Sequence, residues 1–408
     1  MRGLLHVDPS PVGFSRVLDL VHKHLGLDAV YVAELEGEHA VFRAVAGDAT
    51  SFGVNVGTRI PAAASYTKLL VDGSIPQLIS DTSTEPDVAS LPITERYAMR
   101  AFIGAPLRLS DGSIYGALAG INHAPDPTLG ERDVRFISML GELLVSDLDA
   151  QRSNERATAE LSDLIATANV EMTFQPVVDL GSGATLGVEA LARFPVSFGP
   201  PEQLFASAER LGLGLELERL TISEAWKEID RVDHDQFVAF NVSPKSLLRL
   251  AKVAQTRAEL PLSKVVVEVT EQAIVENYGD LRDALGPLRD RGLRIAVDDA
   301  GAGYASLRHI VELRPDFIKI DRSLVHGVTD DEVRQSAIEA FVLLSQSLGV
   351  TIIAEGIEQP RDLLMLRSLG VQAAQGYLLG RPESRRAQDR RSVVRRGEVA
   401  GNPARLLS

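Results

Sequence analysis

Apolar and polar positions along this chain change rhythm near residue 170. Before that point, short strand-like runs mix with helical spacing. Residues 13–25 have a helical period. Residues 29–35 and 40–46 read as strands around a turn at Gly37, and 61–71 as a short helix. Two apolar runs, 101–109 and 113–121, flank Asp111-Gly112, a strong hairpin signal. Residues 126–148 return to a helical period carried by Phe136, Leu140, Leu143, Leu144 and Leu148. The pattern predicts a long helix from 126 to about 168. Its polar middle, 149–155, breaks any clean heptad, so a dimeric signalling helix and a surface linker both stay open.

After Glu171 short apolar runs alternate with amphipathic helices. Strands are expected at 172–180, 186–194, 237–242, 265–269, 294–297, 317–320, 352–354 and 373–379, with helices at 201–211, 217–229, 280–291, 332–348 and 361–369. Eight strands alternating with helices predict an α/β fold, a (β/α)₈ TIM-like barrel. Gly181-Ser182-Gly183 alone separates the first two strands, which therefore suit a hairpin and one antiparallel strand. From Ser384 the chain turns basic and loses periodicity, predicting a disordered tail at 384–408. A weak contact with phosphates or another subunit is the sharper alternative for that tail. The domain layout expected is a sensor-like unit at 1–150, a linker helix at 151–170 and the barrel at 171–383.

Composition narrows the chemistry. The chain has 408 residues, a net charge of −14 and no cysteine. The acidic balance argues against a general nucleic-acid or anionic-membrane surface, though bound cations can invert the local sign for a phosphate substrate. The lack of cysteine excludes disulfides, thiolate catalysis and thiolate zinc sites, and fits a cytoplasmic location. No secretory leader or membrane-spanning run is expected.

The chemistry sits where strands end. In a barrel of this class function collects at the C-terminal mouth. The strand ends supply Glu189 with Leu191 and Arg193, then Asn241, Glu268 and Glu271, Asp298 and Asp299, Lys319, Glu355, and Gln375. Two carboxylates about 4 Å apart repel by about 4 kcal/mol at an effective dielectric near 20. Several in one mouth need cations or raised pKa values. The donor set is Asp, Glu and Asn without His or Cys, which favours Mg²⁺ or Mn²⁺ over zinc. A pair of such ions suits attack of water on a phosphodiester. Asp298 and Asp299 are expected to converge because the strand stops there, the stop being supplied by the glycines of Gly301-Ala302-Gly303. Trp226, His309 and His326 read as structural.

The stretches FQPVVDL, GVEALARF, FNVSP, VEVTE, VDDAGAGYASL, FIKID, AEGIE and QGYLLGRP lie in order through this half. It resembles an EAL-domain phosphodiesterase, a family that hydrolyses cyclic di-GMP to linear pGpG. The resemblance implies that Glu189, Asn241, Glu268 and Asp298 hold one metal, and that Asp298 and Asp299 share or hold the second. It implies that Glu355 and Gln375 hold metal-bound water or the second ion. Lys319 matches the residue that contacts the attacking water, and nearby dications should favour its neutral form. Glu271 matches a glutamate that anchors the loop after the fifth strand. Gln175, Leu191, Arg193 and Gln375 match substrate-binding positions, Arg193 suiting a phosphate oxygen. A homodimer associating near that loop is also implied. The family loop reads Asp-Asp-Phe-Gly-Thr-Gly, whereas this chain has Ala300 and Ala302 in place of the aromatic and hydroxyl residues. Activity is expected to survive at a lower rate or under altered regulation, with a weak or inactive cyclic di-GMP receptor as the alternative. The first half, through AFIGAPLRLSDGSIYGALAG and LGERDVRFISMLGELL, resembles a GAF sensor domain, with a PAS-like sensor as the rival. That family implies a pocket for a small ligand or a purely dimerising role, and without cysteine a thioether-linked bilin is excluded.

Overall fold

The structure, a computed structural model, describes residues 12–229, 232–255, 260–270, 274–301 and 306–384. The chain divides into two compact units, Met1–Ala157 and Thr158–Ser408.

The first unit runs α1 (Val12–Leu25), β1 (Ala29–Glu36), β2 (His39–Gly47), β3 (Arg59–Pro61), α2 (Tyr66–Val71), β4 (Leu78–Ile79), α3 (Pro86–Ala89), α4 (Pro92–Arg96), β5 (Ala101–Arg108), β6 (Ile114–Asn122) and α5 (Glu131–Thr167). Its antiparallel sheet has the order β3-β2-β1-β6-β5-β4. Strand alternation gives the sheet two apolar faces. Val30 and Val32 pack with Phe14, Leu18 and Val21 of α1 and with Ile137, Leu140 and Leu144 of α5. Ala29, Tyr31 and Ala33 turn the other way, onto Phe42, Phe52, Tyr66 and Phe102. The expected hairpin is present, with Gly112 at φ 81° and Asp111 accepting from the Ser113 amide at 2.8 Å. The long helix starts five residues later than expected. Asp126 folds back on Thr128, and Asp133 accepts from the Gly130 amide, so the chain turns before it coils. The polar middle of α5 is not merely solvated. Asp149 accepts from the Ser110 amide at 3.0 Å, and Arg152 reaches Glu34 while lying over the Tyr115 ring.

The second unit contains β7 (Glu171–Asp179), β8 (Thr185–Arg193), α6 (Pro201–Arg210), α7 (Gly214–Trp226), β9 (Phe237–Asn241), α8 (Pro244–Gln255), β10 (Val265–Thr270), α9 (Tyr278–Arg289), β11 (Arg294–Ala300), α10 (Ser306–Leu313), β12 (Phe317–Ile320), α11 (Arg322–Val325), α12 (Glu332–Leu348), β13 (Thr351–Ala354), α13 (Pro360–Ser368), β14 (Ala373–Ala374) and β15 (Glu383–Ser384). Strands β7 to β14 follow one another around the barrel, and β14 closes it on β7. β7 is antiparallel to both neighbours, as the short Gly-Ser-Gly turn requires. The eighth strand is two residues long instead of seven. At Gly376 the chain presses so closely on the Ile357 backbone that a Cβ would lie 2.2 Å from its amide nitrogen, and the following residues turn away. Glu383–Ser384 then returns to pair with Phe174 and Thr173. The rest of the expected basic tail lies outside the described residues.

Period-two alternation divides the barrel strands between two environments. Val238, Val265, Val267, Ile295, Val297, Ile318 and Ile352 face the helices. Val177, Phe237, Ala239, Val266, Ala296, Phe317, Ile353 and Ala373 fill the interior as a separate apolar plug. Gly187 makes room for this plug, since a Cβ there would lie 2.5 Å from the Phe237 ring.

Candidate active site

Two residues beyond the apolar plug on each strand, the interior becomes polar. Val266 is followed by Glu268, Ala296 by Asp298, Phe317 by Lys319, Ile353 by Glu355 and Ala373 by Gln375. Ala239 is followed by Asn241, and Gly187 by Glu189. β7 runs in reverse, so Val177 is preceded by Gln175. One polar residue from each of eight strands therefore stands at the same end of the barrel.

Lys319 is the centre of this ring and is 1% exposed. Its Nζ lies 2.7 Å from Glu355, 2.9 Å from Glu268, 3.0 Å from Asp298 and 3.5 Å from Glu189. The Asp298 approach is an ion pair without hydrogen-bond alignment, because Oδ1 has no hydrogen-bond partner. Burial opposes the charge on Lys319, but Asp298, Glu189, Glu268 and Glu355 outweigh it and hold Lys319 well above the usual lysine range. With these carboxylates alone around it the lysine keeps its charge, and the neutral form expected beside dications belongs to the cation-bound site. One ammonium does not balance the ring. Burial pushes Glu268 well above the carboxylate range against the pull of Lys319. Burial likewise raises Glu355 to about 8. Asp299 is raised to about 6 by burial and by the charges of Asp298 and Asp321.

The convergence of Asp298 and Asp299 has a different cause from the one expected. The strand does not stop at the pair; β11 continues to Ala300. Asp299 itself takes the left-handed conformation, with φ 57°, where its register with β12 shifts. That one turn brings consecutive side chains to one site, at a backbone cost of about 1–3 kcal/mol. Ala300 is fully buried against the barrel wall, and Gly301 follows at φ 99° with Leu324 where its Cβ would be.

The ring forms the floor of an open cleft of about 640 Å³. Gln175, Glu189, Leu191, Arg193, Asn241, Asp298, Asp299, Lys319, Glu355 and Gln375 all line it. Glu268 lies beneath, reaching the cleft through Lys319. Glu271 and Ala302 lie outside the described residues. Asp321, Arg322, Glu358 and Tyr377 also line the cleft. Asp321, Glu358 and Tyr377 close the strand-end stretches FIKID, AEGIE and QGY and stood out in the sequence without a role of their own, whereas Arg322, one residue past FIKID, gave no distinct signal. Trp226 packs edge-on against Phe240, and His309 is buried with its Nδ1 2.7 Å from the Tyr278 hydroxyl, both consistent with structural roles.

The donors fit a divalent metal. Carboxylate oxygens of Asp298, Asp299 and Glu355 lie within 4.8 Å of one another. The surplus of carboxylates over ammonium, the raised pKa values, and the buried Asp298 Oδ1 and Gln375 Oε1 without hydrogen-bond partners all suit a hard cation with oxygen ligands.

Elsewhere, the second face of the first unit encloses a cavity of about 10 Å³ among Tyr31, Phe42, Phe52, Ile60, Tyr66 and Met99. Such a volume holds about one water. Among the described residues no helix is long and apolar enough to cross a membrane.

Comparison with known proteins places this geometry. Residues 158–382 match the EAL domain family, and residues 13–147 match the GAF domain family. The cyclic di-GMP phosphodiesterase RocR of Pseudomonas aeruginosa is 29% identical over 293 residues, covering 63% of this chain and 75% of its own. The cyclic di-GMP phosphodiesterase NbdA of the same organism is 28% identical over 299 residues, covering 70% of this chain and 37% of its own. Among solved structures, the PaMucR phosphodiesterase in complex with c-di-GMP superposes with a TM-score of 0.52 at 28% identity, covering 57% of this chain and 99% of that one. The chain spans about a third of the length of other curated relatives, 31% of one from Azorhizobium caulinodans and 29% of one from Sinorhizobium fredii. A barrel with one reversed strand, an acidic ring around a buried lysine, and a match over more than half its length together show that this chain belongs to the EAL domain family, with a GAF domain preceding the barrel.

Proposed function

We propose that this protein is a sensor-regulated, divalent-metal phosphodiesterase that hydrolyses cyclic di-GMP to linear 5'-pGpG. The observation that carries the reading is the buried Lys319 in contact with Glu189, Glu268, Asp298 and Glu355, with Asp299 turned in beside them. The cleft above, about 640 Å³, falls in the usual range for ligand sites.

In this reading Glu189, Asn241, Glu268 and Asp298 hold one Mg²⁺ or Mn²⁺, and Asp298, Asp299 and Glu355 hold the second. Bound there, the pair would supply a nucleophilic hydroxide and offset charge developing on the phosphate. Lys319 meets the attacking water at Nζ. Charged, its ammonium donates a hydrogen bond to orient that water; bound cations that offset the surrounding carboxylates would favour release of one ammonium proton to solvent, and the neutral amine can then accept a proton from the water. Arg193 lines the cleft; its Nη1 donates to the Ala192 carbonyl at 3.0 Å, and in this reading its other donors meet a phosphate oxygen, while Leu191 supplies an apolar wall. Regulation is supported by α5, within which the division between the two units falls. A homodimer joined near the loop that begins at Ala300 belongs to the same reading.

Full-length protein with Mg²⁺ or Mn²⁺ should convert cyclic di-GMP to pGpG, identified by chromatography and mass. Glu189→Ala should abolish turnover. Tight binding of the dinucleotide with no product in either metal would replace this reading with that of a receptor, the outcome that Ala300 in place of the family aromatic favours.

A further inference from the structure

A carboxamide has a donor end and an acceptor end, and its neighbours decide which faces where. Gln375 is 4% exposed, and its Nε2 has two acceptors. Gln175 Oε1 lies at 3.0 Å and Glu189 Oε2 at 2.6 Å. Both Nε2 protons are thereby used. Oε1, at the opposite end of the amide, is buried without a hydrogen-bond partner.

The orientation of Gln175 is in turn set by backbone. Its Nε2 donates to the Gly380 carbonyl at 2.9 Å, so its Oε1 is the end left for Gln375. That carbonyl belongs to a tight turn in which the Gly380 amide donates to Gly376 at 3.0 Å. The turn is seated directly on β7, since a Cβ at Gly380 would lie 2.4 Å from the Pro176 ring. Reversing the Gln375 amide would set its oxygen against Glu189 and against Gln175 Oε1, leaving buried acceptors facing one another.

We propose that Gln175 is a positioning residue. Backbone at Gly380 orients Gln175, Gln175 with Glu189 orients Gln375, and Gln375 is left presenting a fixed oxygen acceptor within the acidic ring. A divalent cation or its hydrating water is the ligand such an acceptor takes. Gln175 was expected to touch substrate; it lines the cleft, is 7% exposed and has both ends of its amide engaged, which suits it to holding Gln375. The ligand rests on the phosphodiesterase reading; the amide relay does not.

The test uses full-length protein labelled with ¹⁵N in glutamine side chains, the Gln375 signal being assigned by its loss in Gln375→Leu. In metal-free wild type both Gln375 amide protons should exchange slowly with water. Gln175→Met keeps an unbranched side chain of similar length but neither donates nor accepts. It should free one Gln375 proton to exchange rapidly and weaken Mn²⁺ binding, read by electron paramagnetic resonance, by about 10–100-fold. Turnover should show a fall in kcat with KM unmoved. Freely exchanging Gln375 protons in wild type would overturn the proposal without any variant. So would a Gln175→Met protein with an unchanged Gln375 signal and Mn²⁺ affinity, or one in which KM alone rises. If wild type with Mn²⁺ leaves cyclic di-GMP intact, the phosphodiesterase reading falls, while exchange in the metal-free protein still decides the relay.

Discussion

Asp299 holds a conformation that suits a ligand better than it suits the chain. It combines φ 57° with a carboxyl pushed up to about 6 by burial and by the charges of Asp298 and Asp321. Gly removes both costs. Asp299→Gly should stabilise the metal-free protein by about 1–3 kcal/mol while lowering turnover, measured by urea unfolding in chelator and by product formation. Lys319 is the opposite case. Its charge faces Glu189, Glu268, Asp298 and Glu355, so Lys319→Met, which leaves those buried groups without their cation, should cost the metal-free fold about 3–5 kcal/mol as well as activity, read by the same unfolding experiment. The sequence made the acidic residues legible because ionisable groups interrupted apolar runs. It did not make the turn at Asp299 legible, because Asp adopts left-handed backbone only where surrounding structure compels it. Nor did it reveal the proton held on Lys319, which depends on four carboxylates from four other strands.

Among elements, strands were easier to read than helices. A strand that is buried on both sides is a continuous apolar run, and seven of the eight runs stand close to where they were expected. α8, α10 and α11 went unread; α10 and α11 are short, at eight and four residues, whereas α8, at twelve, matches α9 in length and was passed over despite its helical spacing. The end of the eighth strand was misjudged because Leu378 and Leu379 are apolar for another reason. Their amides bond to Ile357 and Gly376 in a turn, so apolar character there reports burial without extension. The plug beneath the ring offers a test at this scale. A Cβ at Gly187 would meet both the Phe237 ring and the Phe237 carbonyl at 2.5 Å. Gly187→Ala should therefore lower stability by about 1–3 kcal/mol, seen as a reduced melting temperature, and should lower turnover by displacing Glu189.

At the scale of the whole molecule, two compact units imply two unfolding events. Mn²⁺ at about 100 times its dissociation constant should stabilise the barrel by about 2.7 kcal/mol. Calorimetry should show one transition moving and the other staying in place; movement of both would mean that metal is felt beyond the barrel. The cavity in the first unit sets a limit of another kind. At about 10 Å³ among Tyr31, Phe42 and Phe52, it admits anything larger than water only if those rings repack.

The short pairing of Glu383–Ser384 with Thr173 and Phe174 has a consequence for how such a barrel can be used. The first and the last described strands of the barrel unit, β7 and β15, are thereby held side by side. A unit built in that way can be spliced between other segments of a polypeptide, or given a different upstream module, without stretching its own framework. The clasp thus makes the barrel a portable cassette, whose chemistry is kept whole while the chain around it is exchanged.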